Sequence, residues 1–219
     1  NRDGNRDFVT ANNGASDVSV RIGDGTGHFA PTASYPVLGN VPTDVAVADY
    51  NGDGIKDLAT ANILTGDISV LLGVGDGTFG TAVTYPAVSF TSSIVAVDVN
   101  NDGIKDLAAS NFGYINVSVL LGNGDGTFAA TTDFDVGTNP ISIASADFDN
   151  DNNADLVTAN YSSGDVAVIF GDGTGSFSAA LNLPADSLPY AVTTSDFDGD
   201  GNADILMANY GSDSIYVYL

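Results

Sequence analysis

Aspartate is the residue type through which this sequence could do chemistry. All 28 acidic residues are Asp, against five Lys and Arg, one His and no Cys, and the formal net charge is −23. Carboxylate oxygens favour hard cations, whereas zinc sites are usually built from Cys and His. The acidic field also excludes nucleic acid and anionic membrane surfaces as partners. We therefore expect a divalent cation as the cofactor.

An aspartate-rich nonapeptide recurs every 49 residues. Its four complete copies begin at Asp49, Asp98, Asp147 and Asp196 and read DYNGDGIKD, DVNNDGIKD, DFDNDNNAD and DFDGDGNAD. A truncated copy, NRDGNRD, opens the chain. Acids at alternate positions of a tight loop direct their oxygens to one point, and calcium takes about six to eight oxygen ligands. The spacing therefore predicts a calcium loop in each unit, with magnesium less suited because it keeps several waters.

The predicted ligands are the side chains at the first, third, fifth and ninth positions of each loop and the carbonyl at the seventh. In chain order they are Asn1, Asp3, Asn5 and Asp7; Asp49, Asn51, Asp53, Ile55 and Asp57; Asp98, Asn100, Asp102, Ile104 and Asp106; Asp147, Asp149, Asp151, Asn153 and Asp155; Asp196, Asp198, Asp200, Asn202 and Asp204. Asn152 replaces the loop glycine in the fourth unit and must adopt its left-handed conformation. We predict about four well-formed calcium sites and an incomplete fifth at the start of the chain.

Three alternatives to this kind of calcium loop fit the sequence less well. An EF-hand needs a bidentate acid at the twelfth position, where Thr60, Ala109, Thr158 and Met207 stand. RTX nonapeptides repeat at a far shorter interval. A metal-free Asp/Gly-rich turn would crowd several carboxylates that repel one another.

The elements that carry these loops are short strands. In the second unit, residues 58–62 and 68–73 predict a hairpin, residues 81–85 a third strand, and residues 93–99 a fourth strand that leads into the next loop. Val, Ile, Thr, Tyr and Gly are abundant, and Glu and Gln are absent, which disfavours helices. Four strands per unit predict an all-β fold, a β-propeller built from four-stranded blades.

The loop pattern, the 49-residue period and the recurring Asn12, Asn62, Asn111, Asn160 and Asn209 resemble the FG-GAP and VCBS-type repeats. The Gly-Ala-Pro tripeptide is missing, so the likeness is nearer to VCBS. The resemblance implies blades whose calcium loop joins the first and second strands. That phasing gives four first, five second, five third and four fourth strands, so each end blade lacks one strand.

Two architectures remain open, a five-bladed ring with incomplete end blades or a segment of a larger propeller. We treat residues 1–219 as one domain of five units, at about 1–43, 44–92, 93–140, 141–189 and 190–219. Open edges on the end blades favour self-association. Because the chain begins inside a motif, we expect a processed or excised piece. No apolar run predicts membrane insertion.

Catalytic groups are scarce, and we expect no catalytic residue and no enzyme activity. His28, the sole histidine, falls in a glycine-rich turn, and nothing marks a positioned serine. The Gly-x-Gly turns precede no helix and carry no phosphate-binding Lys, so they do not predict a nucleotide site.

Binding is the better hypothesis, and the hairpins between second and third strands are its candidate site. They pair an amide with an aromatic ring, at Asn111 and Phe112, Asn160 and Tyr161, and Asn209 and Tyr210. Such pairs suit a carbohydrate, and the resemblance to propeller lectins with these repeats implies the same. The alternative is structural, because Asn after a strand often forms an Asx turn.

The sequence thus favours a non-catalytic, secreted or cell-surface, calcium-binding propeller that mediates adhesion or recognises a glycan or a cell-surface protein. One alternative is a structural repeat module of a larger surface protein or polysaccharide-degrading enzyme. Another is a propeller enzyme that uses its metal directly, which would need an open coordination position facing the central channel.

Overall fold

The computed structural model describes residues 1–88 and 90–219. Within these residues the chain forms eighteen β-strands and no helix, and hence no helix that could span a membrane. The strands form five antiparallel sheets, numbered here as blades 1 to 5 in chain order, of three, four, four, four and three strands. This arrangement confirms the predicted all-β fold and the shortage of one strand at each end.

The strand bounds repeat from blade to blade. Blade 1 contains β1 Phe8–Asn12, β2 Asp17–Arg21 and β3 Ala33–Pro36. Blade 2 contains β4 Pro42–Ala48, β5 Asp57–Asn62, β6 Asp67–Leu71 and β7 Val83–Pro86. Blade 3 contains β8 Thr91–Val97, β9 Asp106–Asn111, β10 Asn116–Leu120 and β11 Thr132–Asp135. Blade 4 contains β12 Pro140–Ala146, β13 Asp155–Asn160, β14 Asp165–Ile169 and β15 Leu181–Pro184. Blade 5 contains β16 Pro189–Ser195, β17 Asp204–Asn209 and β18 Ser214–Tyr218.

Each complete aspartate loop joins the first and second strands of one blade. For example, β8 pairs with β9 across the loop at residues 98–106, whereas β7 pairs with β6 at the edge of the preceding sheet. The strand predicted to end one repeat therefore opens the next blade. The unit boundaries predicted near residues 43, 92, 140 and 189 consequently fall inside the inner strands β4, β8, β12 and β16, because strand pairing and not the sequence period defines a blade.

A residue in the left-handed conformation precedes every inner strand. These residues are Val41, Phe90, Asn139 and Leu188, with φ of 62°, 65°, 57° and 54°. Each carbonyl accepts a hydrogen bond from the N–H of the residue after the hairpin Asn, as in Tyr161 N to Asn139 O at 2.9 Å. The hairpin of each blade is thereby held to the loop that enters its own inner strand.

The core consists of apolar layers between successive blades. Ile68 and Val70 of blade 2 pack toward blade 3, while Leu58 and Leu71 pack toward blade 1. Both faces of a central strand are therefore buried, which explains why all six residues of β5 are buried. Aromatic pairs join blades as well, with Tyr85 and Phe128 meeting edge to face at 5.3 Å.

Side chains link the inner strands of successive blades. Asp44 Oδ2 accepts from Ser93 Oγ at 2.8 Å and from Ile94 N at 3.0 Å. Ser92 Oγ donates to Pro140 O, and Val192 N donates to Ser142 Oγ, each at 3.2 Å. Among the residues that the structure describes, neighbouring blades share no backbone ladder, so these bonds supply polar contact between them.

The end blades differ from the inner ones in exposure. Ile215 on β18 is 69% exposed, whereas Val166, its equivalent in blade 4, is fully buried. Val217, on the same face of β18, is 40% exposed, and its equivalent Val168 is buried. This outward face of blade 5 has the composition of an inter-blade surface.

Candidate functional site

The backbone of each aspartate loop turns through left-handed residues at the glycine position. Gly54, Gly103 and Gly201 have φ of 76°, 84° and 91°, and Asn152 has φ of 68°. Asn152 thus adopts the conformation that its position requires, as expected from the tolerance of Asn for this region.

The first and fifth carboxylates of each complete loop accept backbone N–H groups. Asp49 Oδ2 accepts from Gly54 N at 2.8 Å, and Asp53 Oδ1 accepts from Ile55 N at 2.7 Å. The other complete loops repeat both bonds. These bonds hold the two acids on the inside of the turn.

The ninth-position acid is buried and joins three segments. Asp57 Oδ2 accepts from Tyr50 N and its Oδ1 accepts from Gly73 N, both at 2.8 Å, and Asp106 and Asp155 make the same pairs of bonds. Burial raises the pKa of Asp57, Asp106 and Asp155, while these backbone N–H groups lower it in part. The ninth acid therefore connects the loop to the glycine-rich turn after the third strand of the same blade.

Two loops bring three acids together. One oxygen each from Asp147, Asp149 and Asp151 lie within 4.8 Å of one another, and so do oxygens of Asp196, Asp198 and Asp204. Loops 2 and 3 carry Asn at the third position instead, and its amide donates to the fifth acid, as in Asn51 Nδ2 to Asp53 Oδ2 at 3.0 Å and Asn100 Nδ2 to Asp102 Oδ2 at 2.8 Å. The acid cluster is thus densest in blades 4 and 5.

A buried carboxylate oxygen without a partner lies in the third loop. Asp98 Oδ1 is buried and forms no hydrogen bond, whereas Asp49 Oδ1 accepts from Gly52 N at 2.8 Å. In the described part of the chain no Lys or Arg side chain forms an ion pair with a carboxylate. A bare buried oxygen among carboxylates is costly, and a hard cation would satisfy it. The donor set, all oxygen, fits calcium.

The other predicted ligands form hydrogen bonds within their own loops or with a neighbouring turn. Asn153 Nδ2 donates to Asp151 Oδ2, and Asn202 Nδ2 donates to Asp200 Oδ2, both at 2.7 Å. In the first loop Asp3 Oδ1 accepts from Asn5 N at 2.8 Å, and Asp7 Oδ1 accepts from Gly23 N at 3.0 Å. The seventh-position carbonyls, including those of Ile55 and Ile104, remain predicted ligands.

Amides also link the loops of neighbouring blades. Asn101 Nδ2 donates to Asn153 Oδ1 at 2.7 Å, and Asn150 Nδ2 donates to Asn202 Oδ1 at 3.0 Å. The sequence interpretation missed these contacts, although the residues occupy equivalent positions in their units. Loops 3, 4 and 5 therefore form one connected polar surface.

At the opposite end of the blades, the predicted hairpin amides do not face solvent. Asn111, Asn160 and Asn209 are buried. Asn160 Nδ2 donates to Asp165 Oδ1 at 2.9 Å, and Asn111 Nδ2 donates to Ser118 Oγ at 2.9 Å. The three Asn side chains thus close the hairpins from inside, which favours the structural alternative, and their contact with a ligand stays a prediction. Sequence shows that Asn recurs but not which way it points.

The aromatic residues of the same hairpins do come together. Phe112 and Tyr161 have ring centroids 6.3 Å apart, Tyr161 and Tyr190 are 6.4 Å apart, and Tyr190 and Tyr210 are 6.0 Å apart. We call these four rings the aromatic ladder. Tyr190, which the sequence interpretation missed, stands where blades 2 and 3 have Thr43 and Ser92, and that break in the repeat could have revealed it.

Solved structures similar to this chain share its fold at low identity. An Agrocybe aegerita lectin that recognises non-reducing terminal N-acetylglucosamine is 19% identical, with a TM-score of 0.62 over 99% of this chain and 63% of its own. A V. cholerae biofilm matrix protein is 17% identical, with a TM-score of 0.58 over 99% of this chain and 35% of its own. An inactivated virginiamycin B lyase from Staphylococcus aureus is 14% identical, with a TM-score of 0.64 over 98% of this chain and 67% of its own.

The chain thus spans less than two thirds of the lectin and about a third of the matrix protein. No curated protein matches the sequence significantly. The FG-GAP-like repeat profile matches residues 1–60, 49–109, 98–158 and 147–207, each match running from one aspartate loop through the next. This chain belongs to the FG-GAP-like repeat family.

Proposed function

We propose that this protein is a calcium-binding recognition module, secreted or displayed on a cell surface, that mediates adhesion by binding a glycan or a cell-surface protein. Its repeats are of the VCBS-like kind, and the module has no catalytic activity of its own. The observation that carries the proposal is the buried, unpartnered Oδ1 of Asp98 inside a loop that repeats in every blade.

Calcium would be held by the loop carboxylates and amide oxygens and would neutralise their charge. The loop joins the first and second strands, so a cation bound there would brace the inner half of each blade. The same loop occurs in all five units regardless of what any one blade contacts. This repetition supports a structural role for the metal in a protein that binds through other residues.

Recognition is supported by two independent features. The fold is shared with a lectin and with a biofilm matrix protein. The hairpin end presents the exposed rings of Tyr190 and Tyr210 in blade 5 beside the half-buried Tyr161 of blade 4, and aromatic side chains are those that interfaces favour.

Catalysis has little support in the available side chains, although the fold is also shared with a lyase. His28 is the sole histidine, and its Nδ1 lies 2.9 Å from Thr26 Oγ1 in an exposed turn. Its nearest carboxylate is that of Asp24 in the same turn, at 4.0 Å. Because both contacts lie within its own exposed turn, His28 is explained as a residue that stabilises that turn.

Equilibrium dialysis with radioactive calcium, after chelator treatment, tests the metal. We expect four to five ions per chain, and about one fewer in Asp98→Ala. Asp125→Ala is the matched control, because Asp125 is an exposed turn acid in the same unit that accepts from Thr127 within its own turn. Stoichiometry below one ion per chain would refute the calcium proposal.

A second candidate function is a structural repeat module that assembles with copies of itself. The favouring observation is the outward face of blade 5, where Ile215 and Val217 are exposed although their equivalents are buried between blades. Sedimentation over a range of concentrations tests this, with Ile215→Asp as the variant. Association that the variant abolishes supports assembly, and a monomer at all concentrations refutes it.

A further inference from the structure

A relay of side-chain amides connects loops 3 and 4. Asn101, at the fourth position of loop 3, donates from Nδ2 to Oδ1 of Asn153, at the seventh position of loop 4, at 2.7 Å. Asn153 Nδ2 in turn donates to Asp151 Oδ2 at 2.7 Å. The relay therefore starts between two predicted ligands of loop 3, Asn100 and Asp102, and ends on a predicted ligand of loop 4.

A second relay of the same form connects loops 4 and 5. Asn150 Nδ2 donates to Asn202 Oδ1 at 3.0 Å, and Asn202 Nδ2 donates to Asp200 Oδ2 at 2.7 Å. Asn150 also stands at a fourth position, between the predicted ligands Asp149 and Asp151. Each relay thus starts from a residue outside the predicted ligand set and reaches the fifth acid of the neighbouring loop.

The backbone directs the fourth-position side chain toward the neighbouring loop. Asn101 and Asn150 have φ of 58° and 61°, a left-handed conformation that Asn tolerates. A Cβ added at Gly173, in the glycine-rich turn of blade 4, would collide with the amides of both Asn101 and Asn153. This turn therefore packs against the first relay and limits the positions that its amides can take.

The junction between loops 2 and 3 lacks these amides. The fourth position of loop 2 is Gly52, which has no side chain, and the seventh position of loop 3 is Ile104, which has no polar side-chain group. Among loops 2 to 5, Asn at the fourth position of one loop is matched by Asn at the seventh position of the next, and Gly is matched by Ile. The chain thus contains one junction without a relay for comparison with two junctions that have one.

We propose that the amide relays couple calcium binding in loops 3, 4 and 5, so that occupancy of one loop strengthens binding in its neighbour. This inference rests on the proposed calcium binding. Asn101 lies between Asn100 and Asp102, so its position becomes fixed when those two ligands bind. A fixed Asn101 orients Asn153, which in turn holds Asp151. A ligand that is already held in place loses less conformational entropy on binding, and the resulting coupling is reciprocal.

Charge acts in the opposite direction to the relays. An ion bound in one loop weakens the negative field that attracts the next ion, so charge alone would make the second loop bind less tightly. That effect acts at every junction and is screened by salt, whereas a relay of neutral amides is not. The sign of the coupling and its salt dependence therefore separate the two causes.

Calcium titration of the isotope-labelled whole chain, followed by NMR, tests the coupling loop by loop. The N–H that donates to the first acid supplies one reporter for each loop, at Gly54, Gly103, Asn152 and Gly201. Loop 4 has one more acid than loop 3, so we expect it to fill first. Disabling loop 4 with Asp147→Ala should then raise the calcium midpoint of loop 3 about fivefold, equally at low and at high salt.

An Asn101→Gly protein completes a double-mutant cycle. Gly is the natural fourth residue of loops 2 and 5, with φ of 72° at Gly52 and 83° at Gly199, so the substitution removes the amide without straining the backbone. In this background Asp147→Ala should leave the loop 3 midpoint unchanged, because the relay is already absent.

The junction between loops 2 and 3 supplies the matched comparison. Disabling loop 3 with Asp98→Ala should not raise the midpoint of loop 2, since no relay joins them. A Cβ at Gly52 would meet nothing within 4 Å, so Gly52→Asn is tolerated but places its amide opposite Ile104 and should add no coupling. Gly52→Asn combined with Ile104→Asn reproduces the pair found between loops 3 and 4, and in that protein Asp98→Ala should raise the loop 2 midpoint.

Each failure has a distinct meaning. A loop 3 midpoint that does not rise in Asp147→Ala, or that rises equally in the Asn101→Gly background, overturns the relay and leaves calcium binding intact. A shift that disappears at high salt assigns the coupling to charge and also overturns it. No calcium-dependent change at any of the four reporters overturns both the coupling and the proposed calcium binding.

Discussion

The residue types at the loop end of the blades recur more closely from unit to unit than those at the hairpin end. At the loop end, the fifth- and ninth-position acids recur in the four complete loops, and the backbone hydrogen bonds of the fifth acid recur with them. At the hairpin end, the Asn that ends the second strand recurs, half-buried in blade 1 and buried in the others, but the residue after it is Asn13, Ile63, Phe112, Tyr161 or Tyr210. The loop end thus keeps its framework acids from one complete loop to the next, whereas the residue after the hairpin Asn changes from blade to blade.

This difference distinguishes residues that stabilise a blade from residues that are available to contact a ligand. Every inner blade has the same neighbours, so the groups that bind strands and loops together must repeat. A ligand lies at one place on the molecule, so the residues that bind it need not repeat. The following predictions test whether the loop end is structural throughout and whether the buried Asn of the hairpin end stabilises the fold.

The largest effect is expected from removing calcium. At millimolar calcium and affinities of about 10⁻⁴ to 10⁻³ M, each site stabilises the fold by roughly 1 kcal/mol. Four sites together should raise the melting temperature by about 10 °C. Calorimetric melts in calcium and in excess EGTA check this, and an unchanged melting temperature would contradict a structural role for the loops.

The next largest effect distinguishes the ninth-position acid from the first-position acid of the same loop. Asp106→Ala leaves the buried Val99 N and Gly122 N without acceptors and also removes a predicted calcium ligand, so we expect a loss of about 2–4 kcal/mol in EGTA and a further loss of roughly 1 kcal/mol in calcium. Asp98→Ala should lower stability only in calcium, by roughly 1 kcal/mol, because its Oδ1 has no protein partner. Urea melts of both variants in calcium and in EGTA measure these effects. Equal stability of the two variants in EGTA would contradict the distinction.

A smaller effect is expected at the hairpin end. Thr60 Oγ1 donates to the buried Asn62 Oδ1 at 3.1 Å, and Thr158 does the same for Asn160. Thr60→Val should leave that oxygen unpaired and lower stability by about 1–2 kcal/mol, measured by urea denaturation. Thr10→Val, at a longer and only partly buried version of the contact, is the matched control and should lose less. No loss in Thr60→Val would mean that the buried Asn does not depend on this bond.

The smallest effect concerns the exposed turn acids and their pH dependence. The hydroxyl and then the backbone N–H of Thr78 hold the pKa of Asp76 below its usual value. A depressed carboxyl pKa adds stability above the unfolded-state pKa, and this stability is lost as pH falls through the folded-state pKa. Asp76→Asn should therefore be slightly less stable at neutral pH and equal to the natural protein in acid.

Titration followed by NMR compares the pKa of the exposed turn acid Asp76 with that of the buried loop acid Asp57. In the metal-free protein, burial raises the pKa of Asp57, so its contribution has the opposite sign and is lost as pH rises through the folded-state pKa. Finding the pKa of Asp76 above that of Asp57 would contradict the assigned environments.

Much of the architecture could be predicted because the repeat is explicit. The count of eighteen strands and the place of the loop between first and second strands followed from the 49-residue period and the family resemblance. The sequence left open whether Asn111, Asn160 and Asn209 contact a ligand or close their hairpins, because an Asn at the end of a strand reads the same whether its amide points inward or outward. Tyr190 was missed because the rings on either side of it belong to separate segments of the chain.

The sequence by itself determined the repeating unit, the acids available in each loop and the excess of negative charge, since these depend on residue type and local spacing. Only the tertiary structure decided which oxygens of the loops are already bonded, which amides are buried and which aromatic rings meet across blades. Those properties arise from packing between segments about 49 residues apart in the sequence. A sequence pattern shows which residues are available for such contacts but not how their side chains are oriented.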